Sequence, residues 1–132
     1  MNMEEIHIAG TGIWYPEDVI TNDEIVSSFN GYVDKYNLDN KEDIDTGKID
    51  SLEHSSSAFI EKASGIKTRH VVDKNNILDV NRMMPSLKHE DESRLSIQAE
   101  AGIKAAKRAM EQANVVPNDI DAVILGTSHN AR

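Results

Sequence analysis

Apolar residues recur at helical spacing over residues 93–113, and this is the clearest secondary-structure signal in the chain. Such spacing puts the apolar side chains on one face, so we predict an amphipathic helix here. Small residues at Ala99, Gly102 and Ala106 leave room for another element to approach this face closely. The complete apolar stripe consists of Leu95, Ala99, Gly102, Ile103, Ala106, Met110 and Ala113.

Two apolar segments are typical of strands. Residues 5–10 alternate polar and apolar side chains, and residues 120–126 are almost continuously apolar, as expected of a strand buried on both faces. A helix, a short turn at Pro117 and an apolar strand form half of a right-handed crossover unit. We therefore predict an α/β fold with a mostly parallel mixed sheet flanked by helices. Ligands bind beyond the carboxyl ends of such strands, where Ser128 and His129 are found.

Residues 59–69 combine the end of a helix with the start of a strand. The pattern predicts a short helix that ends at Ser64 and a strand over residues 66–72. Gly65 lies between them, and glycine readily adopts the left-handed conformation that terminates many helices. This stretch therefore fixes the direction in which the strand leaves the helix.

Two polar segments of the chain carry no sustained periodicity. Thr21 and Glu24 have the spacing of a capping box and predict a helix over residues 22–29, but residues 30–54 and 73–92 then have the composition of long loops. Such loops often act as lids or binding loops, and a tolerated surface insertion explains them equally well here. We therefore predict one domain with two surface excursions.

No residue pattern by itself establishes catalytic chemistry. Gly10 and Gly12 are too few for a nucleotide-binding loop and lack an immediately following helix, which favours a close backbone turn. His54 precedes three serines, but neighbours in sequence rarely form a catalytic triad, so residues 55–57 are better explained as helix caps. The five histidines are too dispersed for a metal site, and we expect neither a metal nor a cofactor.

Composition restricts the class of protein further. The 132 residues are enough for a single domain, with 39% hydrophobic and 28% charged residues. The formal net charge of −9 and the lack of a Lys/Arg run argue against nucleic acid or an anionic membrane as a partner. No apolar run is long enough to cross a bilayer, so the cytoplasm is the expected location. The chain has no cysteine, which excludes a cysteine nucleophile within it.

Four segments in sequential order resemble the amino-terminal part of 3-oxoacyl-(acyl-carrier-protein) synthase III, a condensing enzyme of the thiolase fold. They comprise residues 8–12 with 15–17 and 21–22, residues 64–66 with Arg69, the alanine-rich helix, and residues 117–121 leading into 126–128. At residues 59–67, 77–79 and 82–83, this sequence looks closest to the subgroup of the family called beta-ketodecanoyl-ACP synthases. The resemblance spans nearly the whole chain and implies the amino-terminal half of a thiolase-like fold.

The resemblance implies a decarboxylating condensation in fatty acid biosynthesis. In the family, an acyl group passes from acyl-CoA or acyl-ACP to a cysteine and is then joined to malonyl-ACP with loss of CO2. The family's catalytic Cys, His and Asn lie beyond the position that matches Arg132, so we expect no catalytic residue in this chain. The resemblance also implies a homodimer, with an interface near the segment that ends at Gly126.

Candidate substrate-binding residues follow from the same resemblance. Phe59, Ala63 and Ser64 occupy the positions of a family Trp, Arg and Thr that lie close to coenzyme A. Alanine cannot make the charge-assisted phosphate contact of an arginine, so the resemblance favours an acyl donor bound to carrier protein. Ser128 matches a small polar residue of the acyl pocket. Because the chain has a net charge of −9, we expect that an acidic carrier protein does not dock strongly on it. If one does dock, the only local basic cluster available consists of Lys62, Lys67, Arg69 and Lys74.

Three hypotheses about function are open from the sequence. The first is an amino-terminal fragment of a condensing enzyme that is inactive alone, and the second is a non-catalytic acyl-binding or dimerising relative. The third is an unrelated acidic α/β interaction module. Under the first hypothesis, an incomplete sheet leaves an unpaired edge and an uncovered apolar face, which favours dimerisation or aggregation.

Overall fold

The computed structural model describes residues 7–86 and 95–127 of the chain. Within those ranges it is an α/β protein with five α-helices and one two-stranded antiparallel sheet. The elements in chain order are β1 (Asp18–Thr21), α1 (Asn22–Asp39), α2 (Lys41–Asp45), α3 (Ser57–Ser64), β2 (Thr68–Val71), α4 (Lys74–Leu78), α5 (Ile97–Ala113) and a 3-10 turn (Pro117–Asp119).

The described residues form two compact units. Residues 16–86 make up the central unit, and residues 7–15 with 95–127 make up the terminal unit. Each unit is described separately below. The prediction that the whole chain is a single domain stays a prediction.

The central unit is organised around β1, α1 and β2. The two strands pair antiparallel, with Ile20 opposite Arg69. The side chains of Ile20 on β1 and Val33 on α1 are each only 1% exposed, and they form the core of this unit. The predicted capping box is confirmed, because the Glu24 backbone N–H donates to Thr21 Oγ1 (3.2 Å) and the Thr21 N–H donates to Glu24 Oε2 (2.9 Å).

The interpretation of residues 30–54 as a loop is wrong for much of that segment. Helix α1 continues to Asp39, and α2 occupies Lys41–Asp45. The polar composition hides this helix because Val33 is the one fully buried apolar side chain on α1. In the second polar segment, Asp73 caps α4 and accepts a hydrogen bond from the Ser86 backbone N–H (2.7 Å), which lowers the pKa of Asp73. Residues 87–92 of that segment lie outside the described residues.

Helix α5 confirms the predicted helix in the terminal unit. Ser96 caps it and Asn114 ends it in a left-handed conformation (φ 55°), while residues 93–94 lie outside the described residues. The predicted close approach is present at Gly102, where a Cβ atom would lie 3.4 Å from the Leu125 side chain. A closer approach is made to Ala105 and Ala109, which the prediction did not name. A Cβ atom at Gly12 would overlap the carbonyl oxygen of Ala105 and lie 2.7 Å from the Ala109 nitrogen. Glycine is therefore required where residues 10–12 cross this helix.

The predicted strands near the chain ends are not observed in the described residues. Residues 7–10 and 122–127 have no regular secondary structure, and the Ile124 side chain is 98% exposed instead of buried. A buried parallel strand needs neighbouring strands and covering layers, and no strand of the described residues pairs with either segment. In the described residues, the sheet is the short antiparallel β1–β2 pair and not the mostly parallel sheet that the sequence predicted. None of the described helices is long and apolar enough to span a membrane.

Candidate functional site

Helix α3 carries two of the three predicted substrate-binding residues. The Ser56 side chain starts the helix by accepting a hydrogen bond from the Phe59 N–H (3.2 Å). Gly65 ends it with φ at 70°, and its N–H donates to the Glu61 carbonyl (2.7 Å). The predicted order of helix, glycine cap and strand is therefore confirmed, and β2 follows after a short turn.

Phe59 lies in the first turn of α3 and its side chain is 66% exposed. Residues three and four positions apart share a helix face, so Lys62 and Ala63 lie beside Phe59. Ser64 is five positions away, which places it about 140° around the helix from Phe59. The structure thus displays Phe59 and Lys62 together on a solvent-facing surface and separates Ser64 from both.

The Ser64 hydroxyl is engaged in the turn that follows α3. Its Oγ donates to the Ile60 carbonyl (2.7 Å) and accepts from the Ile66 N–H (3.1 Å). Both bonds hold the chain in the shape needed to leave the helix at Gly65. A local structural role therefore explains this serine in the described structure. Ser128, the third candidate, lies outside the described residues.

Asn22, the first residue of α1, attaches this turn to that helix. It is only 5% exposed, its Nδ2 donates to the Ile66 carbonyl (2.8 Å), and its backbone N–H donates to the Lys67 carbonyl (3.2 Å). Its Oδ1 accepts from Arg69 Nη1 (2.7 Å). Both polar atoms of the buried Asn22 side chain are thus hydrogen-bonded, as is usual for buried polar groups. The position of the α3–β2 turn is set by one side chain of α1.

Lys74, the first residue of α4, binds β1 and the first turn of α1. Its Nζ donates to the Val19 carbonyl (2.8 Å) and pairs with Glu24 Oε1 (2.6 Å). The hydrogen bond from Lys74 is the largest cause that lowers the pKa of Glu24 from 4.5 to about 2, and the Thr21 backbone N–H also contributes. The Glu24 carboxylate therefore joins the α1 cap to α4.

We expect the substitution Lys74→Gln to raise the pKa of Glu24 towards 4.5. The pKa should stay below that value, because the Thr21 N–H still favours the ionised carboxylate. A lowered folded-state pKa means that the contribution of Glu24 to stability is complete above about pH 4.5 and is lost as the pH falls towards 2. Titration of the Glu24 carboxyl carbon by NMR measures the shift. Lys48→Gln, which removes only the exposed pair with Asp43, is the control and should leave it unchanged.

The predicted basic cluster is mostly committed to structural contacts. Arg69 and Lys74 bind within the unit as described above, and Lys67 Nζ lies 3.2 Å from Glu61 Oε1. Lys62 is the one member without a side-chain partner in residues 7–86 and 95–127. The positive charge available to a partner on this part of the surface is therefore centred on Lys62, next to Phe59.

His54 and the neighbouring serines have structural contacts, as the sequence interpretation favoured. His54 Nε2 lies 2.7 Å from Asp34 Oδ1, and Ser57 Oγ donates to Asp23 Oδ1. The hydroxyls of Ser56 and Ser57 bond to Phe59 and Asp23, and neither is hydrogen-bonded to the His54 imidazole in the described residues. In the described part of the chain, no group of three or more His, Asp or Glu side chains is placed to hold a metal ion.

Sequence reasoning missed the structural contacts of Asn22 and Lys74. The signal for Asn22 was its position directly after the Thr21 cap, where a short amide can reach back across the helix start. The contact of Lys74 carried no such signal, because its partner Glu24 is 50 positions away in the chain. Asn22 holds the turn that follows α3, whereas Lys74 joins α4 to β1 and to the α1 cap.

Comparison with known proteins gives one informative match. No protein-family profile matches the chain. Over 107 residues, or 81% of its length, the chain is 44% identical to a protein of Pseudomonas aeruginosa named beta-ketodecanoyl-(acyl-carrier-protein) synthase. The matched region is 31% of that relative, so the chain spans about a third of the relative's length. The resemblance inferred from the sequence is confirmed: over these 107 residues the chain is homologous to a 3-oxoacyl-(acyl-carrier-protein) synthase III-like enzyme.

Proposed function

We propose that this sequence is part of a 3-oxoacyl-(acyl-carrier-protein) synthase of fatty acid biosynthesis. The complete enzyme takes an acyl group onto a cysteine and condenses it with malonyl-ACP, with loss of CO2. The 44% identity over 107 residues to a beta-ketodecanoyl-(acyl-carrier-protein) synthase carries the proposal. Because the chain has no cysteine, the nucleophile belongs to another part of the enzyme, and this chain alone is inactive.

The exposed apolar segment at residues 123–125 supports this proposal. The side chains of Val123, Ile124 and Leu125 are 72%, 98% and 57% exposed, which is unusual for three consecutive large apolar residues. In a complete thiolase-like fold these residues would form a strand covered on both faces. The same apolar surface would lie near a homodimer interface, as the family resemblance implies.

Within this proposal, Phe59 contributes to the surface that receives the acyl donor, and Ser64 and Ser128 are candidate contacts. Phe59 is exposed in the first turn of α3, where its backbone N–H is bound by the Ser56 cap. Lys62 lies on the same face and offers an ammonium group to a donor phosphate where Ala63 offers none. A carrier-protein-bound donor, whose linker contains one phosphate, fits this single cation better than a more highly charged donor.

The reaction itself is tested with the longer protein that contains this sequence. That protein should form 3-oxoacyl-ACP from malonyl-ACP and an octanoyl or acetyl donor, supplied on carrier protein or on coenzyme A, because condensation adds two carbons and octanoyl therefore gives the beta-ketodecanoyl product named for the relative. The 132-residue chain is the matched control and should form no product, since it has no cysteine. Failure of the longer protein to form a condensation product with any of these donors would contradict the proposed function.

Phe59→Ala should weaken the use of the acyl donor without unfolding the protein. The side chain is 66% exposed, so its loss should change the free energy of unfolding by roughly 0.5 kcal/mol or less. In the longer protein we expect the KM for the acyl donor to rise about fivefold or more, because a stacked aromatic contact contributes on the order of 1 kcal/mol. Leu38→Ala is the control, since Leu38 is 73% exposed on α1. Equal donor KM values for both variants would remove Phe59 from the binding surface.

A further inference from the structure

Residues 50–56, which we call the strap, have no regular secondary structure and connect the α2 region to α3. Side chains of α1 bind the strap at two points. Asn37 Nδ2 donates to the Leu52 carbonyl (3.0 Å) while the Leu52 N–H donates back to Asn37 Oδ1 (2.9 Å). Asn30 makes the same pair of bonds with Ser55, at 3.1 and 2.8 Å. Each asparagine therefore satisfies both backbone groups of one strap residue.

The two asparagines match the strap in spacing. Seven residues along an α-helix rise about 10.5 Å, and three residues of extended chain cover about 10 Å. Asn30 and Asn37 can therefore hold Ser55 and Leu52 at once without deforming either segment. Between them, Asp34 Oδ1 lies 2.7 Å from His54 Nε2. The three contacts lie along one face of α1, and residues 30, 34 and 37 bind residues 55, 54 and 52 of the strap in that order.

Helix α3 depends on attachments at its two ends. It has no buried residue, and an eight-residue helix is too short to be stable alone in water. After its carboxyl end, Asn22 of α1 holds the carbonyl of Ile66. At its amino end, Ser57 is bound by Asp23 and the preceding strap is bound by Asn30 and Asn37. The side chains of α1 therefore hold both ends of α3.

We propose that the strap is a detachable clip: Asn30 and Asn37 fasten residues 50–56 to α1, and release of the strap loosens the amino-terminal end of α3 while α1 and the sheet stay folded. The attachment is made of polar contacts at partly exposed positions, and such segments open more easily than the core of a domain. The inference concerns the placement of α3 and does not depend on the proposed function. If that function holds, the clip also controls where Phe59 is presented to an acyl donor.

Amide hydrogen exchange measured by NMR tests the clip. The amides of Leu52 and Ser55 are bound directly by the two asparagines, so they report on each attachment separately. In Asn37→Ala we expect the Leu52 amide to exchange about tenfold faster, because the Leu52 N–H loses its acceptor and the Leu52 carbonyl loses its donor. Asn30→Ala should do the same at Ser55, and the double variant should also accelerate exchange in α3.

Alanine has a higher helix propensity than asparagine, so these variants cannot loosen the strap by weakening α1 itself. Asn40→Ala is the matched control, because the side chain of Asn40, which directly follows α1, bonds to the Tyr36 carbonyl of that helix and not to the strap. Unchanged exchange at Leu52 and Ser55 in the single variants would overturn the proposal. Equal loss of protection throughout α1 and β2 would also overturn it, since the strap would then be an integral part of the unit and not a clip.

Discussion

Gly12→Ala is expected to detach residues 7–15 from helix α5. The new Cβ would overlap the Ala105 carbonyl oxygen and crowd the Ala109 nitrogen, and backbone atoms of a helix cannot move aside as a flexible side chain can. We expect a loss of roughly 2–3 kcal/mol or more in the stability of this packing. The chain's one tryptophan, Trp14, lies beside the site with Lys104 Nζ 4.7 Å from its ring centroid. Its fluorescence therefore reports on the detachment directly.

The control for this substitution is Gly126→Ala. Apart from its chain neighbours, no atom of residues 7–86 and 95–127 lies within 4 Å of the position of a Cβ at Gly126, so the same chemical change should leave the urea midpoint of Trp14 fluorescence unaltered. Gly12→Ala should shift the emission to longer wavelength and lower the midpoint. A Gly12→Ala variant with the midpoint and emission of the parent chain would show that residues 10–12 do not pack on Ala105 and Ala109.

The second large effect is expected for Asn22→Ala. The substitution leaves the Asn22 backbone bond to Lys67 in place but removes the two side-chain bonds to Ile66 and Arg69. The Ile66 carbonyl then loses its donor and the Arg69 guanidinium loses its acceptor, next to a position where Asn22 is only 5% exposed. We expect a loss of roughly 2–3 kcal/mol in unfolding free energy, measured by circular dichroism in urea.

Two further variants make this result specific. Asn75→Ala removes an exposed asparagine of α4 that has no described side-chain bond, and it should change stability by no more than about 0.5 kcal/mol. Asn22→Asp keeps an acceptor for Arg69 and loses the donor to Ile66, so its stability should lie between those of the parent and Asn22→Ala. If Asn22→Ala is as stable as Asn75→Ala, the amide does not hold the α3–β2 turn.

The features that sequence predicted well are local. The Thr21–Glu24 cap, the left-handed Gly65 and helix α5 depend on residues a few positions apart, and all three are present. The apolar stripe of α5 is not buried in the described structure, where Leu95 and Ile103 are exposed. Strands are different, since a segment becomes a strand only when another segment pairs with it. Residues 66–72 contain a strand because β1 pairs with it, whereas residues 120–126 have no partner strand in the described structure.

The missed contacts are those between distant parts of the chain. The helix over residues 30–39 is stabilised by a buried Val33 and by asparagines that bind the strap, and neither produces a wide apolar stripe. Family motifs located Phe59 and Ser64, but helix geometry was needed to show that they face in different directions. The same structure identified Lys62 as the neighbour of Phe59 on the exposed face.

We propose that this chain supplies part of the substrate region of a condensing enzyme and not its nucleophile. Intact-mass spectrometry after incubation with an octanoyl donor tests this proposal. The longer protein that contains this sequence should gain one octanoyl group as a thioester, which neutral hydroxylamine removes. The 132-residue chain, which has no cysteine, should gain none. A hydroxylamine-sensitive acyl group on the short chain, or none on the longer protein, would contradict the claim.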